Sequence, residues 1–261
     1  SYAKLNLVLE VGELKHGYHQ IQSIFQQIDL ADTMSITASK SSDPQLTLIE
    51  TGHMLSTPNC LNKVFHYYKP YLDHSFAIVL EKKIPIGSGL GGASSNMAVF
   101  IQYLQQHFKG KMPALNLASI ARQFGADVPF FLKEKTAYVT GIGDKITPCI
   151  RSDIPKNFLI IYPNMHCYSK TVYEEFDNSR RSFNRFSLTQ DQLCLGHNDL
   201  TDAIFAAYPA MKKIYKQLKE QIHLPLFITG SGATLYFCIK DSGIASELEK
   251  TIKKTVSNIY S

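Results

Sequence analysis

Cysteine is scarce in this chain of 261 residues, and the few cysteines form no recognisable pattern. They are odd in number, widely spaced, and include no C-x-x-C pair. This scatter argues against both a disulfide framework and a zinc knuckle. It indicates reduced thiols and a cytoplasmic location. The cysteines are Cys60, Cys149, Cys167, Cys194 and Cys238.

Long apolar runs and a strong excess of one charge are also missing. The longest apolar stretches, such as residues 158–162, are far too short to span a bilayer. No signal-peptide pattern is expected at the start. With 44% hydrophobic and 19% charged residues, the composition is that of a globular protein. The net charge of +5 comes from dispersed Lys and Arg, so we expect a basic cleft for a nucleotide rather than a nucleic acid partner.

The periodicity of apolar residues predicts strands and helices that interleave without strict alternation, which is typical of an α+β fold. Strand patterns cover residues 3–11, 28–38, 45–49, 74–84, 136–140, 158–162, 226–229 and 234–239. Helical spacing covers residues 94–108, 115–124, 208–222 and 244–255. A polar stretch at 151–156 predicts two domains, 1–150 and 151–261. The arginine-rich residues 178–185 predict a mobile loop.

A glycine-rich segment at residues 85–96 joins a predicted strand to a predicted helix. Four of the six residues from Gly87 to Gly92 are glycine, which lets backbone N–H groups point inward without obstruction by a Cβ. Ser94, Ser95 and Asn96 are residue types that begin helices, and a helix N-terminus adds partial positive charge. The segment therefore predicts an anion site suited to phosphates.

Three other phosphate-binding loops do not fit this segment. Gly87, Gly89 and Gly92 match G-x-G-x-x-G, but residues 96–126 contain no acidic side chain to hold a ribose hydroxyl. The preceding strand is charged at residues 81–83, unlike a strand buried on both faces. The Walker A signature and the protein-kinase motifs are absent from the sequence. A plain linker would not need Ser-Ser-Asn before a strong helix.

The glycine-rich segment resembles the phosphate loop of the GHMP small-molecule kinases, and Gly230-Ser231-Gly232-Ala233 resembles their second glycine motif. Four further motifs resemble one branch of this superfamily in particular. The kinases of that branch act in non-mevalonate isoprenoid biosynthesis, and their acceptor is cytidine-diphospho-methylerythritol. The four motifs are Ala3-Lys4-Leu5-Asn6-Leu7, Gly17-Tyr18-His19, Gly125-Ala126-Asp127-Val128-Pro129-Phe130-Phe131 and Asn198-Asp199-Leu200. Mevalonate, homoserine and sugar kinases of the superfamily do not have the first two of these motifs together. Such a kinase remains the nearest alternative function.

The resemblance implies a two-domain GHMP fold, with a ribosomal-protein-like N-terminal domain, a ferredoxin-like C-terminal α/β sandwich, and the active site in the cleft between them. It implies transfer of the γ-phosphoryl group of ATP, with Mg²⁺, to the 2-hydroxyl of the methylerythritol moiety. Asn59 and Lys82 would flank the adenine, although the residues around Asn59 match only in part. Ser95 would also contact Mg²⁺. The ATP phosphates would be bound by Pro85, Gly87, Ser88, Gly89, Leu90, Gly91, Gly92, Ala93, Ser94 and Ser95.

Asp127 and Lys4 are the predicted catalytic pair. Asp127 follows a helix stop and precedes Pro129, and a carboxylate there can take the proton of the acceptor hydroxyl or orient it. Lys4 and Asn6 point to the same face of a strand, so both can reach one ligand, and the lysine would lower the pKa of the hydroxyl. On the residues alone, Asp127 could be a turn former and Lys4 a solvated lysine.

The resemblance assigns Tyr18 and His19 to the cytidine end of the substrate, through stacking and hydrogen bonds to the base. Tyr173 would be the second stacking aromatic, with ordinary packing as the alternative. His16 and His19 form an H-x-x-H word, but no third ligand supports a metal site. Ser169 stands where the family pattern has Thr, so we assign it no role.

The second glycine motif is expected to contact the substrate or the phosphates through Thr229, Gly230, Ser231 and Gly232, unless it is a simple β-turn. A non-catalytic RNA-binding protein is the alternative from a different functional class, since the charge is basic and the implied N-terminal domain is ribosomal-protein-like. The intact phosphate loop and Asp127 argue against it.

Overall fold

The computed structural model describes residues 1–15, 17–52, 60–108, 117–133, 135–179, 189–240 and 242–255. The strands are β1 (Tyr2–Lys15), β2 (Tyr18–Ala31), β3 (Thr33–Lys40), β4 (Leu46–Gly52), β5 (His74–Lys82), β6 (Thr136–Thr140), β7 (Lys145–Pro148), β8 (Asn157–Ile161), β9 (Leu226–Ile228) and β10 (Leu235–Ile239). The α-helices are α1 (Leu61–Tyr68), α2 (Gly92–Phe108), α3 (Leu117–Phe124), α4 (Val128–Phe131), α5 (Ser169–Ser179), α6 (Thr201–Ala207), α7 (Pro209–Gln221) and α8 (Ser242–Thr255). None of the helices within these ranges has the length and apolar character needed to span a membrane.

The first sheet carries the N-terminal strand and has the order β1-β2-β6-β7, with antiparallel neighbours throughout. In the long β1–β2 hairpin, Asn6 lies opposite Phe25. Lys4 and Asn6 are buried, as are Leu5 and Leu7, so β1 is covered on both faces. A charged side chain in such a strand needs a partner, because burying an unpaired charge is costly.

The second sheet positions the glycine-rich segment. Its order is β3-β5-β4, with β3 antiparallel and β4 parallel to β5. Along β5, Phe76, Ile78 and Leu80 are buried in a core with residues of α1 and α2, whereas Ala77 and Val79 are exposed. This alternation is typical of a sheet that is covered on one face. The packing fixes α2, whose first residues, from Gly92, are also the last part of the glycine-rich segment.

The third sheet has the order β8-β10-β9, and its neighbouring strands are antiparallel. A single buried cluster joins Ile161 and Leu235 of this sheet to Leu9 and Ile21 of the first hairpin. The two halves of the chain therefore share apolar packing, which brings the second glycine motif close to β1.

The Asn198-Asp199-Leu200 motif forms hydrogen bonds to both β1 and the second glycine motif. The Asp199 backbone N–H donates to the Leu9 carbonyl oxygen over 2.9 Å, and Leu9 forms an isolated parallel bridge with Asn198. The Asn198 side-chain amide donates to the carbonyl oxygens of Ile228 and Gly230, over 3.0 and 2.8 Å. This part of the family pattern therefore holds structural elements in place.

The mixture of three sheets and interleaved helices confirms the predicted α+β class. The single strand predicted over residues 28–38 is wrong, because the chain breaks between β2 and β3 at Asp32. The buried Asp32 carboxylate accepts the backbone N–H groups of Lys83 and Ile84, each over 2.8 Å, so its side chain turns toward the start of the glycine-rich segment. The division into domains near residues 151–156 stays a prediction.

The predicted mobile loop at 178–185 is wrong in its first two residues, which complete the last turn of α5. Residues 180–185 of that prediction lie outside the described residues.

Candidate active site

A cavity of about 300 Å³ opens between the glycine-rich segment, β1 and the second glycine motif. Lys4 and Asp127, the predicted catalytic pair, both line it. Ser169, Gly230 and Ser231 line it from the C-terminal part of the chain. The remaining lining residues are Cys60, Lys82, Ile84, Pro85, Ile86, Gly87, Ser88, Gly89, Leu90, Gly91, Gly92, Ala93, Ser94 and Asn96.

Glycine is required at two positions where the glycine-rich segment approaches other parts of the chain. Gly89 has a φ of +79°, and a Cβ there would lie 2.7 Å from the carbonyl oxygen of Gly232. Gly91 has a φ of +74°, and a Cβ there would lie 3.2 Å from Cγ of Lys4. The segment can therefore approach both the second glycine motif and Lys4 this closely because these positions have no side chain.

Backbone hydrogen bonds hold the loop in this position. The Lys4 N–H donates to the Leu90 carbonyl oxygen over 2.9 Å, and the Thr234 N–H donates to the Ser88 carbonyl oxygen over 3.2 Å. The Ser88 hydroxyl donates to the Pro85 carbonyl oxygen over 2.6 Å. The loop is thus tied to β1 on one side and to the strand after the second glycine motif on the other.

The N-terminus of α2 carries two buried polar side chains, of which Asn96 lines the cavity and the predicted phosphate and Mg²⁺ contact Ser95 does not. Ser95 and Asn96 are 1% and 2% exposed. Asn96 lines the cavity, and its Oδ1 has no hydrogen-bond partner among the described residues. Because a buried polar atom is normally satisfied, this oxygen is suited to contact a ligand. The sequence indicates Asn96 only as a helix-starting residue, because its place at the cavity results from tertiary packing.

Lys4 and Asp127 meet across the cavity. The Lys4 ammonium lies 3.5 Å from Asp127 Oδ2, donates to Asn6 Oδ1, and sits 4.6 Å from the centre of the Phe25 ring. The Lys4 side chain is 6% exposed and that of Asp127 is 29% exposed. Asp127 immediately precedes the short helix α4, whose second residue is Pro129. The carboxylate is therefore accessible from the cavity, while the ammonium lies behind it.

Asn6 is held by three different elements. Its backbone N–H donates to Thr229 Oγ1 over 2.7 Å, and its side-chain amide donates to Ser23 Oγ over 3.1 Å. The Tyr236 hydroxyl donates to its carbonyl oxygen over 3.3 Å. These contacts fix the side chain that accepts a hydrogen bond from Lys4.

The second glycine motif contributes in two ways. Gly230 and Ser231 line the cavity, whereas Thr229 is completely buried and supports β1 from behind. The Ser231 hydroxyl lies 2.7 Å from that of Ser169, which also lines the cavity. The sequence gives Ser169 no role, because it stands where the family pattern has Thr. Its contact with Ser231 joins residues far apart in the chain, which no local pattern indicates.

The predicted base-binding residues are partly assembled beside this cavity. The His19 imidazole stacks on the Tyr173 ring, with centroids 5.3 Å apart and an angle of 15° between the planes. Tyr18 is 64% exposed. Burial raises the pKa of the Tyr173 hydroxyl, and the negative charge of Asp127 raises it further. Tyr173 is therefore close enough to Asp127 to be affected by its charge.

Of the two residues predicted to flank the adenine, the structure describes Lys82. Lys82 lines the cavity, and its ammonium forms an ion pair with the fully buried carboxylate of Asp32. Asn59, the other predicted member, lies outside the described residues. Cys60 follows it and lines the cavity, a position that no sequence pattern indicates. Burial raises the pKa of the Cys60 thiol.

His16, the first histidine of the H-x-x-H motif, lies outside the described residues. Within the described part of the chain, no group of three or more His, Cys, Asp or Glu side chains is placed to hold a metal ion.

Comparison with known proteins identifies the family. Residues 59–135 match the model of the GHMP kinases N terminal domain. The 4-diphosphocytidyl-2-C-methyl-D-erythritol kinase of Buchnera aphidicola subsp. Schizaphis graminum is 30% identical over 268 residues, covering 98% of this chain and 89% of that protein. The kinase of the same name from Caldanaerobacter subterraneus subsp. tengcongensis is 32% identical, covering 97% of this chain and 89% of that protein.

Solved structures show the same fold. A crystal structure of a 4-(cytidine 5'-diphospho)-2C-methyl-D-erythritol kinase superposes with a TM-score of 0.75 at 23% identity, covering 99% of this chain and 96% of that one. A crystal structure of mevalonate kinase gives a TM-score of 0.63 at 16% identity, covering 100% of this chain and 96% of that one. With the sequence relatives, these matches show that the chain is an ATP-dependent small-molecule kinase and belongs to the 4-diphosphocytidyl-2-C-methyl-D-erythritol kinase family of GHMP kinases.

Proposed function

We propose that this kinase transfers the γ-phosphoryl group of ATP to the 2-hydroxyl of 4-diphosphocytidyl-2-C-methyl-D-erythritol, in non-mevalonate isoprenoid precursor biosynthesis. One observation carries the proposal. Lys4 and Asp127 line the same cavity as the glycine-rich segment, and the Lys4 ammonium lies 3.5 Å from Asp127 Oδ2. The names of the sequence relatives support this acceptor. The proposal includes a cytoplasmic location and two domains, 1–150 and 151–261.

Asp127 is the proposed base. Its carboxylate accepts the proton of the acceptor hydroxyl as the hydroxyl oxygen bonds to the γ-phosphorus, and the bond from that phosphorus to the bridging oxygen of ADP breaks. Lys4 stabilises the alkoxide that develops, because its ammonium is buried beside the carboxylate and is only weakly screened by water. Asn6 orients the ammonium by accepting a hydrogen bond from it through Oδ1.

The glycine-rich loop is the proposed phosphate cradle. Its backbone N–H groups and the N-terminus of α2 can stabilise the negative charge of the phosphates without a lysine in the loop. Phosphoryl transfer depends mainly on positioning and on charge stabilisation. The hydrogen bonds from Lys4 and Thr234 to this loop therefore support a rigid arrangement of the two substrates.

Magnesium is proposed to bind through the triphosphate. Mg²⁺ prefers oxygen ligands and usually keeps waters and substrate phosphates in its shell. The buried Ser95 hydroxyl and Asn96 Oδ1 are oxygen donors that fit this preference. When bound, the ion would neutralise negative charge on the β- and γ-phosphates.

The cytidine end is proposed to bind at Tyr18, His19 and Tyr173. Stacking between His19 and Tyr173 provides a flat aromatic surface, and the exposed Tyr18 ring is available to cover a base from the other side. This arrangement suits a nucleotide-bearing small molecule and requires no nucleic acid partner.

An acceptor panel tests the proposal. The purified chain is incubated with ATP and Mg²⁺ and, separately, with 4-diphosphocytidyl-2-C-methyl-D-erythritol, mevalonate, homoserine and galactose. We expect ADP formation only with the first acceptor, with the new phosphate on the 2-hydroxyl by ³¹P NMR. Phosphorylation of a non-nucleotide alcohol alone would refute the proposal, and tight RNA binding without ATP turnover would favour the non-catalytic alternative.

A further inference from the structure

The buried carboxylate of Asp32, between β2 and β3, contacts three successive residues at the end of β5. It forms an ion pair with the Lys82 ammonium and accepts the backbone N–H groups of Lys83 and Ile84, each over 2.8 Å. The Asp32 side chain is 0% exposed and that of Lys82 is 5% exposed. Because an unpaired charge is costly at this depth, each of these two charges needs the other.

These contacts begin where the hydrogen bonds of the second sheet stop. β5 pairs with β3 as far as Glu81 and with β4 as far as Lys82. The N–H groups of Lys83 and Ile84 lie beyond both pairings, and a buried N–H needs an acceptor. Asp32 supplies that acceptor through one oxygen, Oδ1. The carboxylate therefore sets the direction in which the chain leaves the sheet and enters the glycine-rich segment.

Ile84 extends this contact to the start of α2. A Cβ at Gly92 would lie 2.9 Å from Cγ2 of Ile84, so the residue before the glycine-rich segment packs directly against the first residue of that helix. Lys82 and Ile84 line the cavity together with the glycines. Since the Asp32 side chain is fully buried, it can act on a ligand in the cavity only through the residues that it holds.

We propose that Asp32 is a positioning residue for nucleotide binding, which rests on the proposed role of the glycine-rich segment as the phosphate cradle. Its Oδ1 holds Ile84 against Gly92 before ATP binds, so the cradle needs little ordering when the phosphates arrive. Its charge also neutralises Lys82, which therefore meets the nucleotide as half of an ion pair. Loss of the Oδ1 acceptor should weaken nucleotide binding and leave binding of the phosphoryl acceptor unchanged.

A matched pair of double variants tests this role by equilibrium binding. Asp32→Asn with Lys82→Met removes both charges and keeps an amide oxygen that can accept the two N–H groups. Asp32→Ala with Lys82→Met removes the same charges and the acceptor as well. Calorimetry on the full chain measures Kd for adenosine 5'-(β,γ-imido)triphosphate with Mg²⁺ and, separately, for 4-diphosphocytidyl-2-C-methyl-D-erythritol. The alanine variant should bind the ATP analogue about tenfold more weakly than the asparagine variant, and the acceptor equally well.

Calorimetry also separates positioning from a loss of folded protein. A structural defect alone would lower the number of binding sites per chain without changing their Kd. Asp43→Asn is the control, because Asp43 forms an exposed ion pair with Lys69, and it should leave both constants unchanged. If circular dichroism shows that the alanine variant is unfolded, Asp32→Ser with Lys82→Met takes its place, because its shorter side chain cannot reach as far as the carboxylate.

The proposal is overturned if the variant without the acceptor binds the ATP analogue as tightly as the asparagine variant. It is also overturned if both ligands lose affinity equally, or if neither replacement folds while the asparagine variant does, since the role of Asp32 would then be structural. If the wild-type chain binds the ATP analogue but not the phosphoryl acceptor, the proposed function fails, and the comparison of the variants on the analogue still decides the role of Asp32. A wild-type chain that does not bind the analogue would overturn both.

Discussion

The backbone N–H of Asn6 donates to Thr229 Oγ1 over 2.7 Å, although 223 residues separate them in the chain. Asn6 in turn accepts a hydrogen bond from the Lys4 ammonium. The second glycine motif, which begins beside Thr229, therefore does more than line the cavity. Through this contact it fixes the strand that carries Lys4, the proposed catalytic lysine.

Replacing Thr229 by valine should weaken both stability and catalysis. The substitution keeps the shape but removes the acceptor, leaving a buried N–H unsatisfied at a cost of about 1–3 kcal/mol in the free energy of unfolding. We expect kcat to fall about tenfold as Asn6 loses its position. Urea denaturation and steady-state kinetics measure the two effects. Thr229→Ser retains the hydroxyl and should stay close to wild type; equal losses in both variants would contradict this role.

Gly89→Ala should impair ATP binding. The new Cβ would lie 2.7 Å from the Gly232 carbonyl oxygen at a φ of +79°, so the loop must move away from the second glycine motif. Strain of this kind costs about 1–3 kcal/mol, and we expect a rise of about tenfold in the KM for ATP. The exposed Gly243, in the first turn of α8, provides the control Gly243→Ala. An unchanged KM in Gly89→Ala would show that the loop does not require this close approach.

Asn198→Ala should destabilise the protein. Besides its two donated hydrogen bonds, the Asn198 side chain accepts the Leu200 N–H over 2.9 Å. Removing it leaves buried backbone groups unsatisfied, so the free energy of unfolding should fall by at least about 2 kcal/mol. Thermal and chemical denaturation would measure the loss. Asn62→Ala, on the exposed face of α1, should have little effect.

Cys60 offers a test of nucleotide binding that does not depend on turnover. Burial raises the pKa of its thiol, so the reactive thiolate is scarce at neutral pH and alkylation should speed up as the pH rises. Because Cys60 lines the cavity, a non-hydrolysable ATP analogue should slow its alkylation, measured by mass spectrometry. Alkylation of the exposed Cys194 serves as the internal control. Equal rates at Cys60 with and without the analogue would place the nucleotide elsewhere.

The sequence was most informative about the candidate site where it contains short motifs. The motifs around Lys4 and Asp127 and the glycine-rich segment predicted site residues, and the fold brings these residues to one cavity. Regular elements with clear periodicity were also predictable, as at β6, whose bounds match the expected 136–140.

Long-range polar contacts were not predictable. The ion pair between Lys82 and Asp32 joins a strand end to a break between two other strands, and the alternating pattern around Asp32 indicated an unbroken strand. The contacts of Ser169 with Ser231 and of Asp177 with His19 likewise depend on how α5 docks. No local pattern encodes these distances, because they result from tertiary packing of the whole chain.

The most direct test of the central claim is the rate of phosphoryl transfer from ATP to 4-diphosphocytidyl-2-C-methyl-D-erythritol, in the wild-type chain and in Asp127→Ala and Lys4→Ala. We expect turnover by the wild type and a loss of at least about 100-fold in each variant, with the fold intact, because each change removes a group that stabilises the transition state. Lys15→Ala, which changes an exposed lysine of the same strand, should keep wild-type turnover. No transfer by the wild-type chain, or near-normal rates in either variant, would contradict the account.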